Sequence, residues 1–97
     1  MAKAYVIAVY SKIIDPEKLK IYIQESRFIM GAHGAKALAI GSNTSNISKL
    51  EGIPPERAVI MEFESVEAAQ KAFQSNQVNE EKLEGGVDRV MFVVEGV

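Results

Sequence analysis

The stretch AYVIAVY at residues 4–10 is an almost unbroken run of apolar side chains. Two more runs of this kind follow, AVIMEF at residues 58–63 and VMFVV at residues 90–94. Such runs are typical of β-strands covered on both faces, whereas strands with one face in water alternate apolar and polar side chains. The sequence therefore predicts a sheet whose two faces are both buried.

Only two segments between these runs have the pattern of an amphipathic helix. The first is predicted over residues 16–32, because Asp15 can cap it, Pro16 suits its first position, and apolar side chains recur at three- and four-residue spacing. The second is predicted over residues 66–74, with Ser65 as its cap. Two helices cover roughly one face of such a sheet, so we expect the other face to pack against a second copy of the chain.

The order of the predicted elements indicates the fold. The predicted strands are residues 3–11, 36–41, 57–64 and 89–95. Residues 47–51 are predicted as a short strand or an extension of the sheet edge, and residues 75–84 as a loose final turn or two. The resulting order, β-α-β-β-α-β, is the ferredoxin-like arrangement of the α+β class. Right-handed crossovers place both helices on one face of a four-stranded antiparallel sheet, and two sheets packed face to face form a dimeric α+β barrel.

Length and composition limit the function classes. The length predicts one domain over residues 1–97. The 11 Lys and Arg residues are scattered and the formal net charge is −2, so we expect no nucleic-acid partner. The lack of cysteine excludes disulfides, thiolate metal sites and cysteine nucleophiles. The N-terminal apolar run is too short for a signal peptide and no run is long enough to span a membrane, so we expect a cytoplasmic protein without a membrane partner.

Short motifs along almost the whole chain match a known pattern. They are Asp15-Pro16 with Tyr22, His33-Gly34, Leu50-Glu51-Gly52, residues 59–65, Glu67-Ala68-Ala69 and Val94-Glu95-Gly96. In these motifs the sequence resembles the small dimeric α+β-barrel proteins of domain of unknown function 1330. The resemblance implies the fold and a homodimer, but no reaction, since the family has no agreed one. It is also similar to the wider superfamily of dimeric α+β barrels, which includes cofactor-independent oxygenases, haem-degrading enzymes and small-molecule binders.

The sequence departs from the family pattern in the second helix. The family tends to carry a tryptophan–tyrosine pair there, followed by a tyrosine and an arginine, whereas this chain has only Phe73 and Val78 in that region. Ligand contacts that those aromatic side chains make in relatives are therefore not expected here.

Two side chains are candidates for a general acid or base. His33, the only histidine, lies at the predicted end of the first helix, where it either exchanges protons or satisfies the last helical carbonyls. Glu62 lies inside an apolar run, where it either faces the barrel interior as a base or pairs with Arg57, Arg89 or a lysine across the sheet. No spacing of carboxylates indicates a metal site, and we predict no metal and no cofactor.

Tyr5, Tyr22 and Ser26 are the predicted ligand contacts. Phenol groups can orient a ligand beside apolar walls, although packing in the core is the alternative for each tyrosine. Tyr5 and Tyr10 are five residues apart on one strand, so they point to opposite faces and only one can line the barrel interior. Ser26 lies on the core side of the first helix and either contacts a ligand or bonds to its own helix.

Three functions stay open on this basis. The first is binding of a small apolar or aromatic molecule between the first helix and the sheet. The second is a cofactor-independent oxygenase or isomerase that uses Glu62 or His33 as its base. The third is a structural or interaction role without a ligand. A second apolar stripe on the first helix, Ile21 and Phe28, is either scattered surface apolarity or a contact with a partner subunit, and so leaves a higher oligomer open.

Overall fold

A four-stranded antiparallel sheet with three helices makes up the computed structural model, which describes residues 2–97. The elements are β1 (Ala4–Ile13), α1 (Pro16–Ala32), β2 (Lys36–Ser42), β3 (Arg57–Phe63), α2 (Val66–Ser75), α3 (Gln77–Leu83) and β4 (Val87–Glu95). The strands lie in the order β2-β3-β1-β4. This confirms the ferredoxin-like prediction, to which the structure adds α3. Within residues 2–97 no helix has the length and apolar composition needed to cross a membrane.

The long helix α1 begins and ends where its sequence signals predict. The Asp15 carboxylate accepts hydrogen bonds from the amides of Glu17 and Lys18 at 3.1 and 3.2 Å, which satisfies two amides of the first turn. Gly34 has a φ of +81°, a conformation that favours glycine, and turns the chain from α1 toward β2. The entry and exit of α1 therefore depend on local chemistry that the sequence displays.

Two predictions about the irregular segments are wrong. Residues 47–51 form no strand. The Asn46 side chain bonds to the Ser42 amide at 2.9 Å and to the Ile40 carbonyl at 3.0 Å, and so closes the end of β2 with a turn. Residues 75–84 contain the helix α3 rather than loose turns. Its inward side carries the buried amide of Asn79 as well as Leu83, so its apolar periodicity is weak.

The three helices cover one face of the sheet. Alternate β1 side chains on this covered face are buried: Ala4, Val6, Ala8 and Tyr10. They pack in two apolar clusters with side chains from the helices, among them Leu19 and Met30 of α1, Ala69 and Ala72 of α2, and Leu83 of α3. Because side chains alternate along a strand, the remaining β1 side chains point to the other face.

No element of the described chain covers the other face, which we call the open face. Its larger apolar side chains are Tyr5, Ile7, Val9, Ile60, Val90, Phe92 and Val94. The strand register places them side by side, with Ile7 opposite both Ile60 and Phe92. Phe92 is 49% exposed and Val90 61% exposed. The apolar runs therefore form both the core and an apolar surface that a single chain leaves in water.

Candidate functional site

A cavity of about 510 Å³ lies between α1 and the covered face of the sheet. Its walls are mostly apolar and include Ala8, Ile23, Met30, Val59, Met61 and Phe73. Its polar lining consists of Tyr10, Tyr22, Ser26, Arg27 and Arg57. Both the volume and this mixture are typical of sites for small organic molecules. A depression of about 560 Å³ between the start of α1 and residues 42–44 is more open to solvent, so the cavity is the better-enclosed site.

Two tyrosines and an ion pair form a polar cluster at one end of the cavity. The Tyr22 hydroxyl donates to Glu80 Oε2 at 2.6 Å, and Glu80 Oε1 pairs with the Arg89 guanidinium. Arg89 Nη1 donates to the Tyr10 hydroxyl at 2.9 Å. The Arg89 guanidinium also lies 5.4 Å from the centre of the Tyr10 ring and 4.9 Å from that of Tyr22. The charge of Arg89 is therefore balanced by Glu80 and further stabilised by both rings.

The surroundings of this cluster determine its protonation states. Burial raises the pKa of Tyr22 well above the ordinary tyrosine value, and the hydrogen bond to Glu80 raises it further. Burial by itself lowers the pKa of Arg89, but interactions with Tyr22, Tyr10 and Glu80 outweigh that effect and raise it overall. Tyr22 is therefore a neutral hydrogen-bond donor and Arg89 a cation at physiological pH.

Buried amides connect this cluster to α1. Asn76, at the junction of α2 and α3, is fully buried and donates to Ser26 Oγ at 3.0 Å. It also donates to Glu80 Oε2 at 2.5 Å, and its own Oδ1 accepts from Asn79 at 2.9 Å. The hydrogen bond from Asn76 attaches Ser26 to the α2–α3 junction. The network fixes the orientation of the side chains that line the polar end of the cavity.

Of the five predicted site residues, the structure brings Tyr22 and Ser26 together at the cavity. Tyr5 lies on the open face, where it pairs with Glu62 across β1 and β3. The Glu62 carboxylate lies 3.3 Å from Lys3 Nζ, and this contact raises the pKa of Lys3. The partner of Glu62 is thus a lysine, one of the pairings that the sequence leaves open.

His33 lies at the C-terminal end of α1, where its backbone amide bonds to the Met30 carbonyl at 3.1 Å. Neither His33 nor Glu62 lines the cavity. Their catalytic roles stay predictions, and any such role would need a site elsewhere. Within residues 2–97 no three His, Asp or Glu side chains are grouped so that they could hold a metal ion.

Sequence reasoning did not assign Tyr10, Arg57, Glu80 or Arg89 to the site. Three of these carry a signal that could have been used. Tyr10 ends the apolar run of β1, whereas Arg57 and Arg89 precede those of β3 and β4, so antiparallel pairing places both arginines opposite Tyr10. Glu80 has no comparable signal, because it lies on the helix that the sequence did not predict.

Solved structures show the same fold at low sequence identity. A protein of unknown function from Rhodopseudomonas palustris is 14% identical with a TM-score of 0.73, and the match covers 99% of this chain and 83% of that one. A dimeric ferredoxin-like protein of unknown function from Thermobifida fusca is 13% identical with a TM-score of 0.65, over 97% and 91% of the two chains. A dimeric protein of unknown function with a ferredoxin-like fold from Bacteroides fragilis is 12% identical with a TM-score of 0.58, over 96% and 95%.

The family is shown by sequence rather than by these structures, because likeness at such low identity establishes the fold alone. Among curated proteins, none matches this sequence. The family model described as "Domain of unknown function (DUF1330)" matches residues 3–97, which include every strand and helix of the structure. The chain therefore belongs to the DUF1330 family.

Proposed function

We propose that this protein binds a small, largely apolar or aromatic molecule in the cavity between α1 and the sheet. The observation that carries the proposal is the half-open cavity of about 510 Å³ with apolar walls and a polar cluster at one end. Tightly packed interiors contain few voids larger than a water molecule. A cavity of this size between α1 and the sheet is therefore better explained by a ligand than by a purely structural role.

The alternative of a cofactor-independent oxygenase or isomerase has less support. In that mechanism the base would be Glu62 or His33, and neither residue lines the cavity. A general base must lie within hydrogen-bond reach of the proton that it removes. The side chains at the cavity are instead suited to binding and orienting a molecule, since Tyr22 is held as a neutral donor and Arg89 as a paired cation.

We further propose that two copies of the chain pair through the open face. Its seven larger apolar side chains form a continuous surface across β3, β1 and β4, which is unusual for a monomer in water. Two of the solved structures with this fold are described as dimeric. Stacking two such sheets about 10 Å apart would bury roughly 1,600 Å² or more, as in a stable dimer.

The loop between β2 and β3 supports the same interface. A Cβ atom at Gly41 would point to the open face, because Gly41 pairs with Ala58, and would lie 2.8 Å from Ile47 Cγ1. Ile47 therefore rests on the margin of the open face. Farther along the loop, Leu50 and Ile53 are fully exposed. A second copy stacked on the open face would offer these side chains an apolar surface.

Native mass spectrometry of purified protein, followed by ligand titration, tests both proposals. We expect a dimer, and we expect naphthalene-2-carboxamide, a neutral aromatic probe, to bind with a stoichiometry of one per chain. Ala37→Trp should weaken binding strongly, because Ala37 points from β2 into the cavity and an indole would occupy part of it. Ala32→Trp, at an exposed position outside the cavity, is the matched control and should bind normally. Equal binding by both variants would overturn the cavity as the site, and a monomer at micromolar concentration would overturn the dimer.

A further inference from the structure

We propose that the molecule bound in this cavity is an organic carboxylate, with its apolar body between α1 and the sheet and its carboxylate held by Arg57. This inference rests on the proposed function, because it names the chemical class of the ligand for the same cavity. It starts from a difference between the two arginines beside Tyr10. One is neutralised within the protein and the other is not.

Arg57 is placed at the cavity by the strand register and by Tyr10. It is the first residue of β3, lies directly opposite Tyr10, and its guanidinium sits 5.7 Å from the centre of the Tyr10 ring. Its Nε atom is buried and has no hydrogen-bond partner among residues 2–97. A buried N–H donor without a partner is unfavourable, and more so when the group is charged. A side-chain rotation that turns this atom toward the cavity would let a ligand acceptor remove that penalty.

No carboxylate of the described chain neutralises Arg57. None of the salt bridges within residues 2–97 includes it. The adjacent Glu56 instead accepts a hydrogen bond from the Ile13 amide at 2.6 Å. By contrast, Arg89, which reaches the Tyr10 ring from β4, pairs with Glu80. Arg57 is therefore the cation that the polar cluster leaves available.

The charge of the cavity lining has one sign. Its charged residues are Arg27 and Arg57, and no aspartate or glutamate lines it. Arg27 is exposed at the rim and, like Arg57, takes part in no salt bridge of residues 2–97. Because the remaining walls are largely apolar, the potential in the cavity favours an anion over a neutral or cationic head group.

A carboxylate matches the geometry of this donor better than a larger anion does. The Nε and one Nη of a guanidinium form a parallel pair of N–H donors, which binds both oxygens of a carboxylate side by side. A phosphate dianion carries a second charge, and with Arg27 exposed at the rim the lining offers no second buried cation to compensate it. The apolar walls then select a hydrophobic body, so an aromatic or branched aliphatic monocarboxylate fits both parts of the cavity.

The first test compares two probes of the same shape on the wild-type protein. Naphthalene-2-carboxylate and naphthalene-2-carboxamide differ in charge but not in the apolar ring, and isothermal titration calorimetry measures both affinities. We expect the carboxylate to bind about 10- to 100-fold more tightly, the range for a charge-assisted hydrogen bond. Equal affinities, with the binding of both probes weakened by Ala37→Trp, would overturn the carboxylate inference and leave the proposed function intact. Binding of neither probe to the wild-type protein, or binding that Ala37→Trp leaves unchanged, would overturn the proposed function itself.

The second test assigns the preference to Arg57. Arg57→Gln should reduce the carboxylate preference to about twofold or less, whereas Arg27→Gln removes the same charge at the rim and should lower it by no more than about threefold. Equal losses would mean that general attraction, not Arg57, holds the anion. Arg57→Lys is the second variant should Arg57→Gln not fold. It keeps the charge without the paired donors, so an undiminished preference in it would also contradict the side-by-side geometry.

Discussion

The two faces of the sheet are built from the same apolar runs but differ in their polar groups. On the covered face, Tyr10, Arg57 and Arg89 lie among apolar side chains, and Glu80 and Tyr22 reach them from the helices. On the open face, the central positions of β1, β3 and β4 are apolar, and the charged Glu62 lies toward one end, paired with Lys3.

This difference separates binding chemistry from assembly. Polar groups inside a protein need partners, and the covered face supplies them from helices that are fixed in the same chain. An apolar face needs only another apolar surface of matching shape, which a second copy can supply. We therefore expect changes on the open face to alter the oligomeric state, and changes on the covered face to alter stability and binding.

The largest expected effect is on the open face. Phe92→Asp places a carboxylate at the centre of the proposed interface, and two-fold symmetry buries two of them per dimer. We expect the dissociation constant to rise at least about a thousandfold, which corresponds to about 4 kcal/mol. Analytical ultracentrifugation measures this directly.

Phe28→Asp is the matched control, since Phe28 is 82% exposed on α1. An unchanged dimer in this variant would assign the Ile21–Phe28 stripe to the surface, whereas loss of a higher oligomer would assign it to a subunit contact. A Phe92→Asp variant that stays dimeric would contradict the role of the open face.

The next largest effect is expected in the polar cluster of the covered face. Glu80→Ala leaves the largely buried Arg89 without its carboxylate, and removal of one partner from such a pair costs about 3 kcal/mol or more. Urea denaturation measures the free energy of unfolding. Glu67→Ala, which breaks the exposed pair with Lys71, should change it by no more than about 0.5 kcal/mol. Similar losses of unfolding free energy in the two variants would mean that water stabilises the Arg89 cation as effectively as Glu80 does.

A smaller effect is expected from Tyr22→Phe, which removes the hydrogen bond to Glu80 and should lower the free energy of unfolding by about 1 kcal/mol at neutral pH. The pH dependence gives a second readout. Because the pKa of Tyr22 is raised in the folded state, its contribution to stability is fully present below the ordinary pKa of 10.0 and is lost as the pH rises above it. Wild type should therefore lose more stability than Tyr22→Phe above that pH. Equal losses in the two proteins above that pH would contradict the raised pKa of Tyr22.

The smallest effect is expected from Glu62→Gln. Glu62 lies on the face opposite the cavity, so binding of naphthalene-2-carboxamide should stay within about twofold of wild type in calorimetric titrations. A loss greater than tenfold would connect Glu62 to the site and revive its predicted role as a base. Should the protein prove to catalyse a reaction, retained turnover in this variant would remove Glu62 from its mechanism.

Much of the candidate site was within reach of the sequence, although only part of it was predicted. Helical periodicity places Tyr22 and Ser26 on the inner side of α1, so the sequence identifies both. Strand alternation shows that Tyr5 and Tyr10 point to opposite faces but does not show which face the helices cover, so it does not separate Tyr5 from Tyr10. The positions of the strand ends in the sequence suggest that Tyr10 pairs with Arg57 and Arg89. The hydrogen bonds of the folded sheet fix that register.

Local sequence patterns specify the four strands, the two longer helices and an apolar surface beyond what those helices cover. These features follow from local rules, since caps, glycines and apolar periodicity act over a few residues of chain. The tertiary structure alone decided that α3 forms, that Glu80 neutralises Arg89, and that Arg57 faces a cavity without a carboxylate. The partners in these contacts are far apart in sequence or lie on a helix with a polar buried side. Their energies arise only when packing removes water from around them.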